Sequence, residues 1–293
     1  MDIPERPRLR PDVLRRLLVG EGRPLRRLEV VEESPSTNDQ LAAAVRADPD
    51  AWPAPALLVA EHQSAGKGRA GRTWTTTPRS SLVVSLLVRP PVPVAALTWL
   101  PLLAGLATAH ALRATAGVAA VVKWPNDVLV PVPDDTGGPR KVVGILAEAL
   151  GDGAVVVGLG VNVSQTPAEL PVPTATSLLL AGAATTDREV LLTALHESFG
   201  DVLGRWRDAG GDAVGAGLRD ECAAVCVSVG ARVRVEPAAG AALEGAPFEG
   251  AAFEGEGTGL DDDGALLVRD ASGAVRRVVA GDVHHARLAG TGD

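Results

Sequence analysis

Hydrophobic positions along this chain change texture near Val225. Before that point, runs with helical spacing alternate with runs of strand length; after it, short Val-rich segments are separated by Gly and Asp turns. Residues 1–30 are rich in Arg and Pro and hold one short helical pattern, Asp12–Val19. Ser36-Thr-Asn-Asp39 reads as a capping box that opens an amphipathic helix through about Ala47. Ala56–Glu61 and Leu82–Val88 are strand-length apolar runs, and between them lies a glycine-punctuated cationic stretch, Ser64–Pro78. The longest helical pattern, Ala95–Thr115, is closed by Gly117 as a C-cap. Further strands are expected at Ala120–Lys123, Val128–Val130, Lys141–Ala149 and Ala154–Val163, with a loose turn at Asp134–Pro139. Asp187–Asp208 is an amphipathic helix with Leu191, Leu195, Phe199 and Leu203 on one face. The later texture predicts strands at Val227–Val235, Ala265–Arg269 and Val275–Val279, and hence a small β-barrel; a near-repeat at Glu244–Gly257 reads as an extended hairpin or loop. The pattern therefore predicts an α+β domain with a mixed or antiparallel sheet, followed by a small all-β domain.

Composition narrows the function. The 293 residues are 46% hydrophobic and 22% charged, an ordinary globular balance that can bury a real core. A net charge of −8 argues against a general nucleic-acid binder, which needs a basic face. The N-terminal sequence has no apolar stretch long enough for a signal peptide. The apolar region Val92–Ala111 is broken by Pro93, Thr98, Pro101 and His110, so it reads as a buried helix and no membrane association is expected. Cys222 and Cys226 are the only cysteines and lack a second pair for a zinc site; their spacing suits one buried helix face. The expected compartment is the cytoplasm. Of 28 Lys and Arg residues only Lys67, Lys123 and Lys141 are lysines, and the only asparagines are Asn38, Asn126 and Asn162. In a chain that uses arginine for ordinary surface charge, a retained lysine suggests work for a compact, mobile ammonium. All six lie between residues 38 and 162, in segments that stand out for other reasons.

Four segments combine residue types suited to chemistry. Gln63-Ser-Ala-Gly-Lys-Gly-Arg-Ala-Gly-Arg-Thr-Trp74 alternates Gly66, Gly68 and Gly71 with Lys67, Arg69 and Arg72. It can wrap an anion with N–H groups and side-chain charge, or serve as a flexible basic surface loop; the P-loop spacing is absent. Lys123-Trp-Pro-Asn-Asp127 ends a strand at Pro125 and leaves Asn126 and Asp127 either as a plain turn or as groups orienting a ribose, a phosphate or a hydrated Mg²⁺. Lys141 opens an apolar strand in which Gly144 lets a ligand approach the sheet, although a strand-edge lysine is often merely solvated. Gly158-Leu-Gly160-Val-Asn162 thins a second strand in the same way, but G-x-G alone is a weak signal.

Together with Ser36-Thr37-Asn38, these segments closely resemble, in order and spacing, the motifs of the biotin protein ligase (BirA-type) family. The resemblance implies a class II synthetase-like mixed or antiparallel sheet with flanking helices, plus a C-terminal SH3-like β-barrel. It divides the chain into an extension (1–27), a catalytic biotin- and ATP-binding domain (28–224) and the SH3-like domain (225–293). It implies that Ser36, Thr37, Asn38 and Gln63 hold the ureido ring and neighbouring parts of biotin, with Gly66, Gly144, Gly158 and Gly160 lining the slot. The loop, including Gly68, would fold over the biotin carboxylate and the α-phosphate, with Lys67, Arg69 and Lys141 as the catalytic cations. The family usually carries Arg where this chain has Lys67, so charge is kept and bidentate geometry lost. Arg69, Arg72, Trp74, Asn126, Asp127, Lys141 and Asn162 would serve ATP. The implied substrates are biotin and ATP with Mg²⁺, whose ligands the sequence leaves open, and the implied partner is the biotin carboxyl carrier domain of an acyl-CoA or pyruvate carboxylase. Only 35 residues precede Ser36, too few for a winged-helix domain, so a form without DNA binding is expected, as a monomer or homodimer. The competing readings are a lipoate or octanoate ligase of similar fold, and a biotin-binding module without turnover.

Overall fold

The computed structural model describes residues 5–133, 137–237 and 252–285. Helix α1 (Pro11–Leu18) starts on a proline, tolerated in a first turn, and buries Leu14 and Leu18. Strand β1 (Arg27–Val31) follows. Helix α2 (Thr37–Ala47) begins where the capping box puts it: Ser36 stays extended and accepts the Asp39 N–H at 3.3 Å. Strand β2 (Ala56–Ala60) leads into a miniature hairpin, β3 (Gly66–Lys67) and β4 (Thr73–Trp74), inside the cationic stretch, and then to β5 (Ser81–Val88). The long apolar run is a 3-10 turn, Val94–Trp99, then α3 (Leu100–Ala111) and a wider turn, Leu112–Ala116, that Gly117 ends at φ 66°. Nearly every residue of α3 is buried, as expected of a core helix. Strands β6 (Val121–Lys123), β7 (Asp127–Val130), β8 (Arg140–Gly151) and β9 (Ala154–Asn162) precede α4 (Arg188–Asp208) and α5 (Leu218–Val225). The chain then forms β10 (Arg232–Pro237), β11 (Phe253–Leu260), β12 (Leu266–Asp270), β13 (Val275–Val278) and β14 (Gly281–His285).

Strands β1 to β9, without the hairpin, make one sheet in the order β1-β2-β5-β9-β8-β7-β6, parallel only between β1 and β2. This is the mixed sheet with flanking helices that the pattern predicts. Period-two alternation sends Val155, Val157, Leu159 and Val161 of β9 into the main core with Leu103, Leu106 and Leu195 of α3 and α4. The opposite face packs Leu58, Leu87 and Val156 against Leu41 and Val45 of α2.

The second sheet is antiparallel throughout, in the order β13-β12-β11-β10-β14. Residues 227–230 form a turn rather than the start of the expected Val227–Val235 strand; the Cys226 end of α5 and the bond from Val227 N–H to Val122 O bring the chain out of the first sheet there. Residues 253–257 of the near-repeat lie in β11, whereas Glu244–Ala251 and residues 134–136 of the expected turn lie outside the described residues. Cys222 and Cys226 are both buried and unpaired, the first within α5 and the second capping it, and burial pushes both thiols up.

The second sheet is gripped through one turn. Trp99 Nε1 donates to Asp262 O (2.8 Å), Thr98 Oγ1 to Asp263 O (2.9 Å) and Trp124 Nε1 to Gly264 O (3.0 Å). At the other end of the chain, residues 5–10 cross the first domain, with Arg6, Arg8 and Arg10 paired to Glu169, Glu32 and Glu189 respectively.

Candidate active site

The α2 face of the sheet carries a patch of bare backbone. On β9 the residues following Val156 on that face are Gly158 and Gly160, and on β8 Gly144 stands opposite Gly160. A Cβ on Gly160 would lie 2.4 Å from Cε2 and Nε1 of Trp74, and one on Gly144 would lie 2.8 Å from Cζ3 of the same ring. At Gly158 it would lie 2.3 Å from Oδ1 of Asn38. Glycine is required at all three because an indole and an amide lie flat on the sheet. The Trp74 Nε1 is buried with no hydrogen-bond partner among the described residues.

A buried polar cluster borders this floor. The Ser85 hydroxyl is 2.6 Å from Asn38 Oδ1, while Asn38 Nδ2 donates to Leu146 O (3.1 Å) and to Glu148 Oε2 (2.6 Å), which fixes the orientation of the amide. Thr37 donates its N–H (2.8 Å) and hydroxyl (3.0 Å) to Gln63 Oε1. Both backbone polar atoms of Gln63 meet the Thr76 hydroxyl at 3.0 Å, so this segment is held from both sides.

The cations gather beyond Trp74. The β3–β4 hairpin turns through Ala70 and Gly71, both at positive φ, and closes with Gly68 N–H donating to Arg72 O at 2.7 Å. Gly66 is packed so tightly that a Cβ would meet Trp74 O at 2.4 Å. Half-buried Arg69 reaches Asn126 Oδ1 at 3.4 Å, and burial lowers its affinity for its proton. Asn126 in turn donates to Ile145 O at 2.7 Å. Lys141 pairs with Asp127 at 2.6 Å and its ammonium lies 5.5 Å from the centre of the Trp74 ring. Burial also lowers the Lys123 ammonium, with Asp127 opposing that shift and Lys141 adding to it. Arg72 pairs with Asp282 of the second sheet (2.5 Å), and Lys67 with Asp39 (2.6 Å), a contact that raises the lysine. A cavity of about 1030 Å³ opens between this loop, the Trp124–Asn126 segment, Ile145–Glu148 of β8 and the gripped turn of the second sheet. A flat apolar floor, a polar cluster at one end and excess cations at the other suit a ligand with a polar ring and an anionic reacting end.

Comparison with known proteins gives this arrangement a family. Residues 30–163 match the Biotin/lipoate A/B protein ligase family, and residues 246–285 match the Biotin protein ligase C terminal domain. The chain is 39% identical, over 97% of its length and 99% of the relative's, to the biotin ligase for acetyl-CoA carboxylase of Mycobacterium tuberculosis. It belongs to the biotin protein ligase family. It is also 35% identical to the bifunctional ligase/repressor BirA of Bacillus subtilis, over 45% of this chain and 41% of that protein. Among solved structures it is similar to the biotin protein ligase of Aquifex aeolicus in complex with biotin and ATP, with a TM-score of 0.66 and 25% identity over 90% of this chain and 100% of that one.

Most residues singled out from sequence come together. Thr37, Asn38 and Gln63 form the polar cluster, while buried Ser36 caps α2 beside it; Gly144, Gly158 and Gly160 form the floor; Gly66, Lys67, Gly68, Arg69, Arg72 and Asn126 line the cavity. Asn162 stands apart: its amide donates to Thr176 O (2.9 Å) and accepts from Gln165 Nε2 (3.0 Å), tying β9 to the following loop. Lys67 is half-exposed and turned to Asp39. Ser85, Glu148 and Asp282 are not among the residues singled out from sequence, and Lys123, one of the three retained lysines, carries no assigned role there. Ser85 had a usable signal, a lone hydroxyl inside the otherwise apolar run Leu82–Val88. Asp282 had none, because its partner Arg72 is 210 residues away.

Proposed function

We propose that this chain is an ATP-dependent biotin protein ligase, which makes biotinyl-5′-AMP from biotin and ATP and then transfers biotin to a lysine of a biotin carboxyl carrier domain. The observation that carries the reading is the succession, in a member of this family, of a polar cluster, a bare-backbone floor beneath Trp74 and a cationic loop that lines the adjoining cavity. Biotin would place its ureido ring against Ser36, Thr37, Asn38 and Gln63 and its chain along Gly66, Gly144, Gly158 and Gly160, taking the space that Trp74 covers. Trp74, Asn126 and Asp127, with Arg72, would then serve the nucleotide, whereas Asn162 would hold the loop after β9 in place.

In the first step a biotin carboxylate oxygen attacks the α-phosphorus of ATP, and the bond to the β-phosphate oxygen breaks with loss of pyrophosphate. Charge builds on the α-phosphate oxygens, where Arg69 and Lys141 would donate, joined by Lys67 once it leaves Asp39, and aided by the N–H groups of the loop around Gly68. In the second step the carrier lysine's amine attacks the acyl carbon, AMP leaves and the amine loses its proton. Neither cysteine takes part. Magnesium borne on ATP phosphates needs only one or two protein carboxylates; Asp127 would serve as one on exchanging the Lys141 ammonium, now 2.6 Å away, for the metal. Among the described residues no three His, Cys, Asp or Glu side chains form an all-protein cage. When bound, the metal would neutralise phosphate charge.

The carrier would belong to an acyl-CoA or pyruvate carboxylase, in keeping with the name of the Mycobacterium tuberculosis relative, and the reaction would run in the cytoplasm. The division at residues 27 and 224 is kept as the proposed domain plan. Biotin-dependent exchange of labelled pyrophosphate into ATP tests the reading, with Lys141→Ala alongside and lipoate and octanoate as alternative acids. Exchange with biotin alone, greatly weakened in the variant, is expected; exchange with lipoate or octanoate instead would name a different acid, and no exchange with any acid would leave a binding module.

A further inference from the structure

Two residues before Gln63, at the end of β2, stands a carboxylate that no step above uses. Glu61 is 4% exposed and pairs at 2.6 Å with Arg188, 5% exposed, in the first turn of α4. The second Glu61 oxygen accepts the N–H of Leu9 at 2.7 Å. Arg188 donates further to Pro7 O (2.6 Å) and Ser81 O (3.3 Å). One buried ion pair thus ties together the N-terminal segment, the end of β2, the start of β5 and α4.

A buried pair of this kind is weak support for stability, since an apolar pair of similar volume is often as stable or more so. What it does supply is a fixed geometry, and its surroundings say for what. The Glu61 backbone is locked on both sides, its N–H to Val31 O (3.0 Å) and its carbonyl to the Arg79 N–H (2.8 Å). Next, His62 O accepts from Ser34 N–H at 3.0 Å, aligning the end of β2 with the lead-in to Ser36. The following residue is Gln63, whose amide oxygen holds both donors of Thr37 and whose Nε2 faces Gly66. The other strand in the clamp, β5, begins at Ser81 and carries Ser85 to Asn38 on the same strand face.

We propose that Glu61 and Arg188 are positioning residues for the biotin-ring end of the site, setting Gln63 against Thr37, and that residues 5–10 belong to this apparatus. The inference rests on the ligase reading above. It predicts an effect confined to one substrate: β2 and β5 reach the polar cluster, whereas the cations assigned to ATP, Arg69, Arg72 and Lys141, sit on the hairpin and β8.

The test measures pyrophosphate exchange and calorimetric biotin binding for wild type, Glu61→Gln, Arg188→Gln and the double variant Glu61→Leu/Arg188→Leu. The double variant removes both charges and leaves neither orphaned, which keeps the test informative where a single variant unfolds. Biotin-dependent exchange by the wild type secures the reading on which the inference rests. In folded variants the KM and Kd for biotin are then expected to rise by about tenfold or more, with the KM for ATP changed by less than about twofold. The double variant is expected to melt below the wild type, since the Leu9 N–H and the Pro7 carbonyl lose these partners, yet to raise the KM for biotin and not that for ATP, a split that a purely structural pair would not produce. Unchanged biotin KM in the double variant, or a parallel rise in both KM values, would overturn the proposal.

Discussion

Replacing Gly160 by alanine puts one methyl group where the structure has an indole in direct contact with backbone. The new Cβ would stand 2.4 Å from Cε2 and Nε1 of Trp74 and 2.8 Å from Cζ2, against about 3.5–4.0 Å for comfortable carbon contacts. The ring must therefore lift by roughly 1 Å. Trp74 is partly exposed and on a short hairpin, so it can lift, and the stability cost falls in the ordinary range for overpacking, about 1–3 kcal/mol. The proposed ligand has less freedom, because its polar ring is fixed by the cluster at one end and its carboxylate must reach the cations at the other. A misplacement of about 1 Å at a reacting group costs on the order of 10²-fold in rate, or about 2.7 kcal/mol. The assay is pyrophosphate exchange with biotin varied at saturating ATP and then the reverse, accompanied by a thermal melt. We expect kcat/KM for biotin to fall by about 100-fold, the ATP dependence to change little, and the melting temperature to drop by a few degrees. A variant with wild-type kinetics toward biotin and a normal melt would refute the reasoning that Gly160 is the floor of a slot.

Three further outcomes follow from other parts of the molecule. Gly200 lies within α4, and a Cβ added there would meet nothing within 4 Å, so Gly200→Ala should stabilise the protein by about 0.5–1 kcal/mol in chemical denaturation without affecting exchange. Burial holds the His196 imidazole down to about 4, below its unfolded value near 6.5, so the unfolded chain binds the extra proton first and stability falls as pH drops from about 6.5 toward 4. His196→Leu should remove about 2 kcal/mol of the stability difference between pH 6.5 and 5, visible as flatter melting temperatures over that window. Trp124→Phe removes the N–H that serves Gly264 O, and should cost about 1–3 kcal/mol by thermal melt while also weakening exchange through Asn126 and Asp127.

Local signals in the sequence carried a good part of this molecule. The capping box set the start of α2 to the residue, because Ser36 and Asp39 are close enough to bond directly. The glycines at 144, 158 and 160 were legible as places of close approach because only a missing side chain allows it. What they approach was less legible: in this structure it is Trp74 and Asn38, whose positions depend on chain folded back from elsewhere. Strand β1, RLEVV, is five residues long with a single fully buried side chain, too little alternation to register. Strand β11, FEGEGTGL, is mostly glycine and exposed glutamate, so its pairing with β10 and β12 leaves little hydrophobic trace. The N-terminal arginines read simply as charge, since partners such as Glu169, 163 residues away, leave no local spacing to detect.

The grip on the second sheet has a consequence for how the chain could be divided. Three successive carbonyls, of residues 262, 263 and 264, accept from side chains of the first domain, and β10 enters the sheet from upstream while β11 and β14 flank it from downstream. Peptide continuity between Pro237 and Phe253 is then not what holds the halves together. A polypeptide cut in that interval would still share one sheet across the break, making the interval a natural place to split the protein into two fragments that reassemble on mixing.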